Sequence, residues 1–327
     1  ILDNEKREIA TRRSAMRSNK KFFRNTDIFQ SFPRLEEINT FLSSLVAKNP
    51  KIASLESIGQ SFENRDMKII KIRSSADKPI IWIDAGIHAR EWAAPITSLY
   101  IANELVSNYN TDPSIKKLVD SFEWQILPSA NPDGYEYSHR RDRLWRKTRS
   151  NRGGRCIGVD PNRNWGFHWN EVGASSNPCD DTYAGPSAFS EIETRNIRDY
   201  ILKQQKRMKA YLSIHAYSQL WLTPWGYTSK VPSNYNDLVK KAQIASEALK
   251  SKYGTKYTVG SSTNVLYAAA GGSDDWALGV AGVPYAYTLE LRPDENSFSG
   301  FVLPPNQIKP TGEETWAGVK AFATAIM

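Results

Sequence analysis

The chain has 327 residues, 40% hydrophobic and 24% charged, with a formal net charge of +8; this is a globular composition that fits one large domain or two small ones. No apolar run is long enough to span a bilayer, so the chain reads as soluble, with no membrane partner. Residues 1–24 hold eight Lys/Arg against three acids, which is +5 of the +8; with no aromatic-interleaved basic stripe elsewhere, the charge argues against a nucleic-acid partner.

In chain order, residues 1–21 form a basic tail. It reads as a solvated linker or as the remnant of a protease-sensitive junction, with Arg12-Arg13 as the cleavage point. The chain starts at Ile1, which reads as a trimmed terminus. Apolar spacing predicts a helix over Glu36–Asn49, with Ile38, Phe41, Leu42, Leu45 and Val46 on one face and Pro50 as its stop. Strands are predicted over Met67–Ile72 and over Ile80–Ala85, the latter apolar except for Asp84. A helix with Pro95 in its first turn runs to about Val106, and Phe122–Leu127 is a strand. A helix over Glu191–Gln205 is followed by a strand over Ala210–His215 and a helix over Asn236–Tyr253, stopped by Gly254. Val283–Leu291 is a strand, and Thr311-x-x-Glu314 reads as the capping box of the last helix. Alternating helices and near-continuous apolar strands specify an α/β fold. The expectation is a single domain over residues 22–327, with a mixed, mostly parallel twisted sheet and helices on both faces.

The heptapeptide GIHAREW, Gly86–Trp92, follows a buried strand with three charged or titratable groups. The pair His88-x-x-Glu91 has metal-ligand spacing, and a catalytic zinc takes three protein ligands from His and carboxylate with a fourth position open. A second histidine must come from elsewhere. His215 ends an apolar strand and is best placed; His139 and His168 are expected to do ordinary surface or loop duty. His88, His215 and Glu290 all lie at or near strand ends, which points to one cleft. Asp160 is either a carboxylate orienting a ligand histidine or a turn residue before Pro161. Glu290, inside the apolar run AYTLELR, is either a proton acceptor or a partner of Arg292. Arg143, Arg146 and Arg163 supply guanidinium forks suited to carboxylates and developing oxyanions. Cys156 and Cys179 are either free thiols or one bridge worth about 3 kcal/mol in the chain-entropy model. No Asn-x-Ser/Thr acceptor is present.

These segments, together with NPDGYEY (131–137), RLWRKTRS (143–150), GVDPNRNW (158–165), LSIHAYSQ (212–219), YAAAGGSDDW (267–276) and LELR (289–292), make the chain resemble the pancreatic A/B type of zinc metallocarboxypeptidases from about Phe22 onward. The resemblance implies one Zn²⁺ held by His88, Glu91 and His215, the His₂Glu set of which carboxypeptidase A is the standard example. It implies Glu290 as general base and later proton donor, and Arg146 as the group stabilising the oxyanion. Asn162, Arg163 and Tyr267 would hold the substrate's terminal carboxylate. Arg90, Tyr217 and Phe301 would form outer subsites, and Cys156–Cys179 a disulfide. Asp274 falls at the base of the side-chain pocket, where it implies a preference for C-terminal Lys or Arg. The implied protein is a secreted monomer, made as a zymogen, that digests peptides or proteins with a free C-terminus and is open to proteinaceous carboxypeptidase inhibitors. Two rivals stand beside this reading: the same enzyme with apolar or mixed preference, and an inactive zinc-binding relative serving as a binding module. Ala216, where serine is usual, and the divergent loop Pro293–Gly300 depart from the pancreatic pattern at the groove rim.

Overall fold

The run IIWIDA forms strand β3 (Ile80–Ala85), and every one of its residues is buried. The computed structural model, which describes residues 27–327, puts this strand inside one eight-stranded sheet. The others are β1 (Ala53–Gln60), β2 (Asp66–Ile72), β4 (Glu123–Leu127), β5 (Met208–Ser218), β6 (Leu220–Thr223), β7 (Thr258–Ser261) and β8 (Tyr285–Asp294), in the order β1-β2-β4-β3-β5-β8-β6-β7. The central run β4-β3-β5-β8 is parallel, as is β6-β7, whereas β1-β2, β2-β4 and β8-β6 are antiparallel. This is the mixed, mostly parallel α/β sheet that the strand patterns predict.

Strand alternation divides the core into two. On one face Ile81, Ile83, Leu212, Ile214 and Leu289 pack with α2 (Ala93–Ser107) and with α9 (Ile308–Ala325). On the other, Trp82, Tyr211 and Ala286 pack with Ile197 and Ile201 of α5 (Ile192–Leu202) and with Trp276 of α8 (Ser273–Gly279). Parallel strands covered on both faces must be apolar nearly throughout, which is why β3 and β5 show so little polar alternation. The predicted first helix is α1 (Leu35–Lys48), and α6 (Tyr235–Tyr253) ends at Gly254 as expected.

Three features depart from the sequence reading. The last helix opens at Ile308, before the expected capping box. Pro310 sits in its first turn, where no amide donor is needed; Thr311 Oγ1 bonds back to Gln307 O at 2.6 Å, and Glu314 is spent on Arg292. Helices α3 (Pro113–Ser121) and α4 (Pro132–Arg140) arise in stretches for which the sequence pattern predicts no element; Asp112 and Asn131 cap them, accepting from Ser114 N and Gly134 N. Strand β1 is mostly solvent-facing, and β6 and β7 are four residues each, too short for a periodic signal.

Cys156 and Cys179 form a disulfide with Cα atoms 5.0 Å apart. The basic tail, and its reading as an activation remnant, lie outside the described residues. No helix among those described is long and apolar enough to cross a membrane.

Candidate active site

The carboxyl ends of β3, β5 and β8 meet at one cavity of about 240 Å³. Leaving β3, the chain turns sharply at Gly86, whose φ is +67° and where a Cβ would meet Pro95 Cγ at 3.0 Å. The turn delivers His88 and Glu91 just ahead of α2. His215 sits on β5 in register with Glu290 on β8. Among the described residues, His88, Glu91 and His215 are the one group of His, Cys, Asp or Glu able to hold a metal, with donor atoms all within 4.8 Å of one another.

The chemistry of this donor set fits zinc. The two Nδ1 atoms lie 3.2 Å apart, His88 Nδ1 is 2.7 Å from Glu91 Oε1, and His215 Nδ1 is 3.1 Å from Glu91 Oε2. Nitrogen lone pairs aimed at each other across a carboxylate are satisfied by a shared cation. The outer nitrogens are held from behind: His88 Nε2 by Asp160 at 3.1 Å and His215 Nε2 by Ser213 Oγ at 3.1 Å. Burial works to raise Glu91, but His88 and His215 hold it well below the ordinary carboxylate range. Burial also works to lower His215, yet Glu91, Glu290 and Asp84 outweigh it and raise it to about 9. His88 is lowered by burial and then by Arg146.

Asp160 has two jobs at once. Its Oδ2 receives Arg146 Nε and Nη2 at 2.9 and 2.8 Å, while Oδ1 faces His88 and accepts Asn162 N at 2.9 Å. Arg146 also lines the cavity. Arg163 is buried, with Nε on Gly173 O and Nη1 on Asn162 O. Asn162 Oδ1 accepts Ser273 N at 3.0 Å, so its amide nitrogen is left for the cavity. Tyr267 stands at the mouth, 54% exposed.

Asp274 and Asp275 open α8 side by side and face different ways. Asp274 is 6% exposed and lines the cavity; Asp275 accepts Gly226 N and Tyr227 N at 2.9 and 3.1 Å and so fixes a pocket wall. Burial raises both carboxyls, Asp275 further because Asp274 adds like charge. Behind them, Gly271 has φ +74°, and a Cβ there would strike Arg163 O at 2.5 Å. Glycine is what lets the Asp274 loop lie against the Arg163 loop.

Glu290 does not pair with Arg292. That guanidinium turns to Glu314, with Nε–Oε1 at 2.7 Å, leaving Glu290 beside the metal-ligand group. Burial pushes Glu290 up to about 8, against His215 and with Glu91. Tyr217 and Phe301 line the outer cavity and meet edge to face, with centroids 4.9 Å apart. Arg90 lies one layer out, its guanidinium 4.3 Å from the Phe301 ring and 3.0 Å from Asp181. His168 pairs with Glu171 in a loop, as expected. His139 is not at the surface: it is buried in α4 and stacked on Trp92, with centroids 3.7 Å apart. Sequence reasoning passed over Asp275 as a fixer of the wall and Arg143 as a clamp. Arg143 donates to Arg90 O and Phe301 O at 2.7 and 2.8 Å, tying two walls together. Only the density of arginines in RDRLWRK hinted at the clamp.

Comparison with known proteins finds a family model described as zinc carboxypeptidase matching residues 38–318. Carboxypeptidase B of Astacus astacus is 55% identical over 299 residues, 90% of this chain and 97% of that one. Carboxypeptidase A2 of Mus musculus is 46% identical over 324 residues, 98% of this chain and 75% of that one. Among solved structures, bovine thrombin-activatable fibrinolysis inhibitor in complex with tick carboxypeptidase inhibitor superposes with a TM-score of 0.86 at 33% identity, covering 92% of this chain and 99% of that one.

Proposed function

The chain belongs to the zinc carboxypeptidase family and is an A/B-type zinc exopeptidase, and from that premise we propose that it removes C-terminal Lys and Arg from peptides. The observation that carries this reading is the buried Asp274 on the wall of the cavity that holds His88, Glu91 and His215. A buried carboxylate is stabilised by an arriving ammonium or guanidinium and is left unpaired by Phe or Leu.

His88, Glu91 and His215 hold the zinc, which when bound supplies a Lewis acid and lowers the pKa of water. Glu290, not engaged by Arg292, accepts a proton from the attacking water as the water oxygen bonds the scissile carbon. It then returns that proton to the departing amine nitrogen as the C–N bond breaks. Arg146, held rigid by Asp160, donates to the carbonyl oxygen as it gains charge. Asn162, Arg163 and Tyr267 hold the terminal carboxylate, restricting attack to the last bond. Tyr217 and Phe301, backed by Arg90, carry the preceding residues. The Cys156–Cys179 bridge supports an oxidising, extracellular setting. Peptides and proteins with a free C-terminus are the partners, with monomeric enzyme; the solved complex of a relative with a carboxypeptidase inhibitor supports such inhibitors as further partners.

The test compares kcat/KM for matched peptides ending in Arg and in Phe. We expect the Arg peptide to lead by about 100-fold, the scale of leaving one buried charge unpaired. Asp274→Ile is expected to reverse the order. A faster Phe peptide on the wild type overturns the assignment and favours the mixed preference that similarity to carboxypeptidase A2 suggests.

A further inference from the structure

His215 carries one nitrogen into the ligand group and one away from it, and the far nitrogen meets a second buried carboxylate. On β5 the side chains of Tyr211, Ser213 and His215 share a face by strand alternation. Asp84 of β3 is the register partner of Ser213, so its carboxylate rises beside the Ser213 hydroxyl. Asp84 and Ser213 are fully buried and His215 is 1% exposed. Ser213 Oγ donates to Asp84 Oδ1 at 2.7 Å and lies 3.1 Å from His215 Nε2. The other oxygen of Asp84 accepts the Trp82 indole N–H at 2.8 Å.

Burial works to raise Asp84, and its hydrogen-bond donors and the charge of His215 work against that rise. A fully buried carboxylate is costly even with such partners, and nothing in the sheet requires one here. The hydrogen bonds do have a direction, however. Indole N–H is only a donor, and a carboxylate is only an acceptor. With Asp84 ionised, Ser213 gives its proton to Asp84, which leaves its lone pairs to receive the Nε2–H of His215. An imidazole protonated on Nε2 presents a bare lone pair at Nδ1, the atom 3.1 Å from Glu91. His88 has the same arrangement in shorter form, with Asp160 directly on its Nε2.

We propose that Asp84 is a positioning residue which, through Ser213, fixes the tautomer and aim of His215 and thereby sets the affinity of the site for zinc. The proposal rests on His88, Glu91 and His215 being the zinc ligands. Ser213→Ala breaks the relay. Asp84→Asn reverses it: Trp82 claims the amide oxygen, the amide nitrogen donates to Ser213, and Ser213 then donates to Nε2, favouring the tautomer with a proton aimed at the metal.

The experiment measures zinc Kd by competition with a chromophoric chelator, alongside the visible bands of the cobalt-loaded protein and the thermal midpoint of the chelated protein. We expect Ser213→Ala to lower the metal-free midpoint only by the modest amount that one stranded acceptor costs, while Kd rises about 10- to 100-fold, the usual effect of losing a group behind a metal ligand. Asp84→Asn should lose at least as much, and both should shift the cobalt bands. Wild-type Kd and unchanged bands in either variant overturn the proposal. If Asp84→Asn lowers the metal-free midpoint severely, Ser213→Ala alone decides. His215→Ala separates the two levels: wild-type zinc affinity in that variant overturns the ligand assignment itself, and a large loss there with wild-type Kd in Ser213→Ala overturns only the relay.

Discussion

Glu290 shows what a single residue reveals before and after folding. A glutamate inside AYTLELR stands out in the sequence, but whether it serves Arg292 or the cleft depends on Glu314, which lies 22 residues beyond Arg292 and is brought there only by the fold. His88-x-x-Glu91 and the strand-end His215 were legible because each sits at the edge of an apolar run. Of the two loads on Asp160, the ligand histidine was one of the two readings open in the sequence, whereas the hold on Arg146 was not legible, because only the fold brings Arg146 and His88 to one carboxylate. On the proposed assignment, Glu290→Gln keeps zinc at one per chain while kcat falls by at least about 100-fold; metal analysis beside steady-state kinetics checks both. Glu290 also makes a stability prediction with a definite sign. Its carboxyl is raised to about 8 in the folded, metal-free protein, above its ordinary value, so its contribution is full at low pH and is lost as pH rises toward 8. Glu290→Gln should therefore melt higher than wild type at pH 8.5 in chelator, and the gap should close by pH 4.5. A gap that widens toward acid would refute the burial of this group.

At the scale of elements, the long periodic segments were legible to within a few residues, because burial on one face or both writes itself into the pattern. Edge strand β1, the four-residue strands and the Asx-Pro helices were not, since their stability comes from neighbours and caps. The false capping box at Thr311 has the same origin: Glu314 belongs to a tertiary ion pair. That pair joins α9 to the end of β8, with Arg292 also reaching Gln307 Oε1 at 2.8 Å and Thr255 Oγ1 at 2.6 Å. Glu314 is fully buried, so Glu314→Ala leaves a cation without its partner. We expect a loss of about 3–5 kcal/mol in urea unfolding, together with weaker binding of longer peptides, because Phe301 follows this junction. Full stability in that variant would show that the pair is not a strut.

For the whole molecule, the balance of charge matters less than its placement: +5 of the +8 lies in residues 1–24, outside the described fold. On the proposed assignment, zinc held by His88, Glu91 and His215 would tie β5 to the segment that links β3 to α2, so its removal should be felt globally. We expect a chelator to abolish hydrolysis and lower the thermal midpoint, with both restored by added zinc, since a ligand bound only by the folded state stabilises it by mass action. An unchanged midpoint would mean that the three ligands are held in place without the ion. The adjacent acids of α8 carry a further consequence. Asp275 anchors two backbone amides of the pocket wall, whereas Asp274 lines the cavity. The frame of the pocket and the preference proposed for it are thus carried by neighbouring residues whose carboxyls face different tasks yet share one like-charge repulsion. On the proposed assignment, a substitution at position 274 changes diet and lifts the like charge on Asp275 together, while the two amides held by Asp275 keep the scaffold standing.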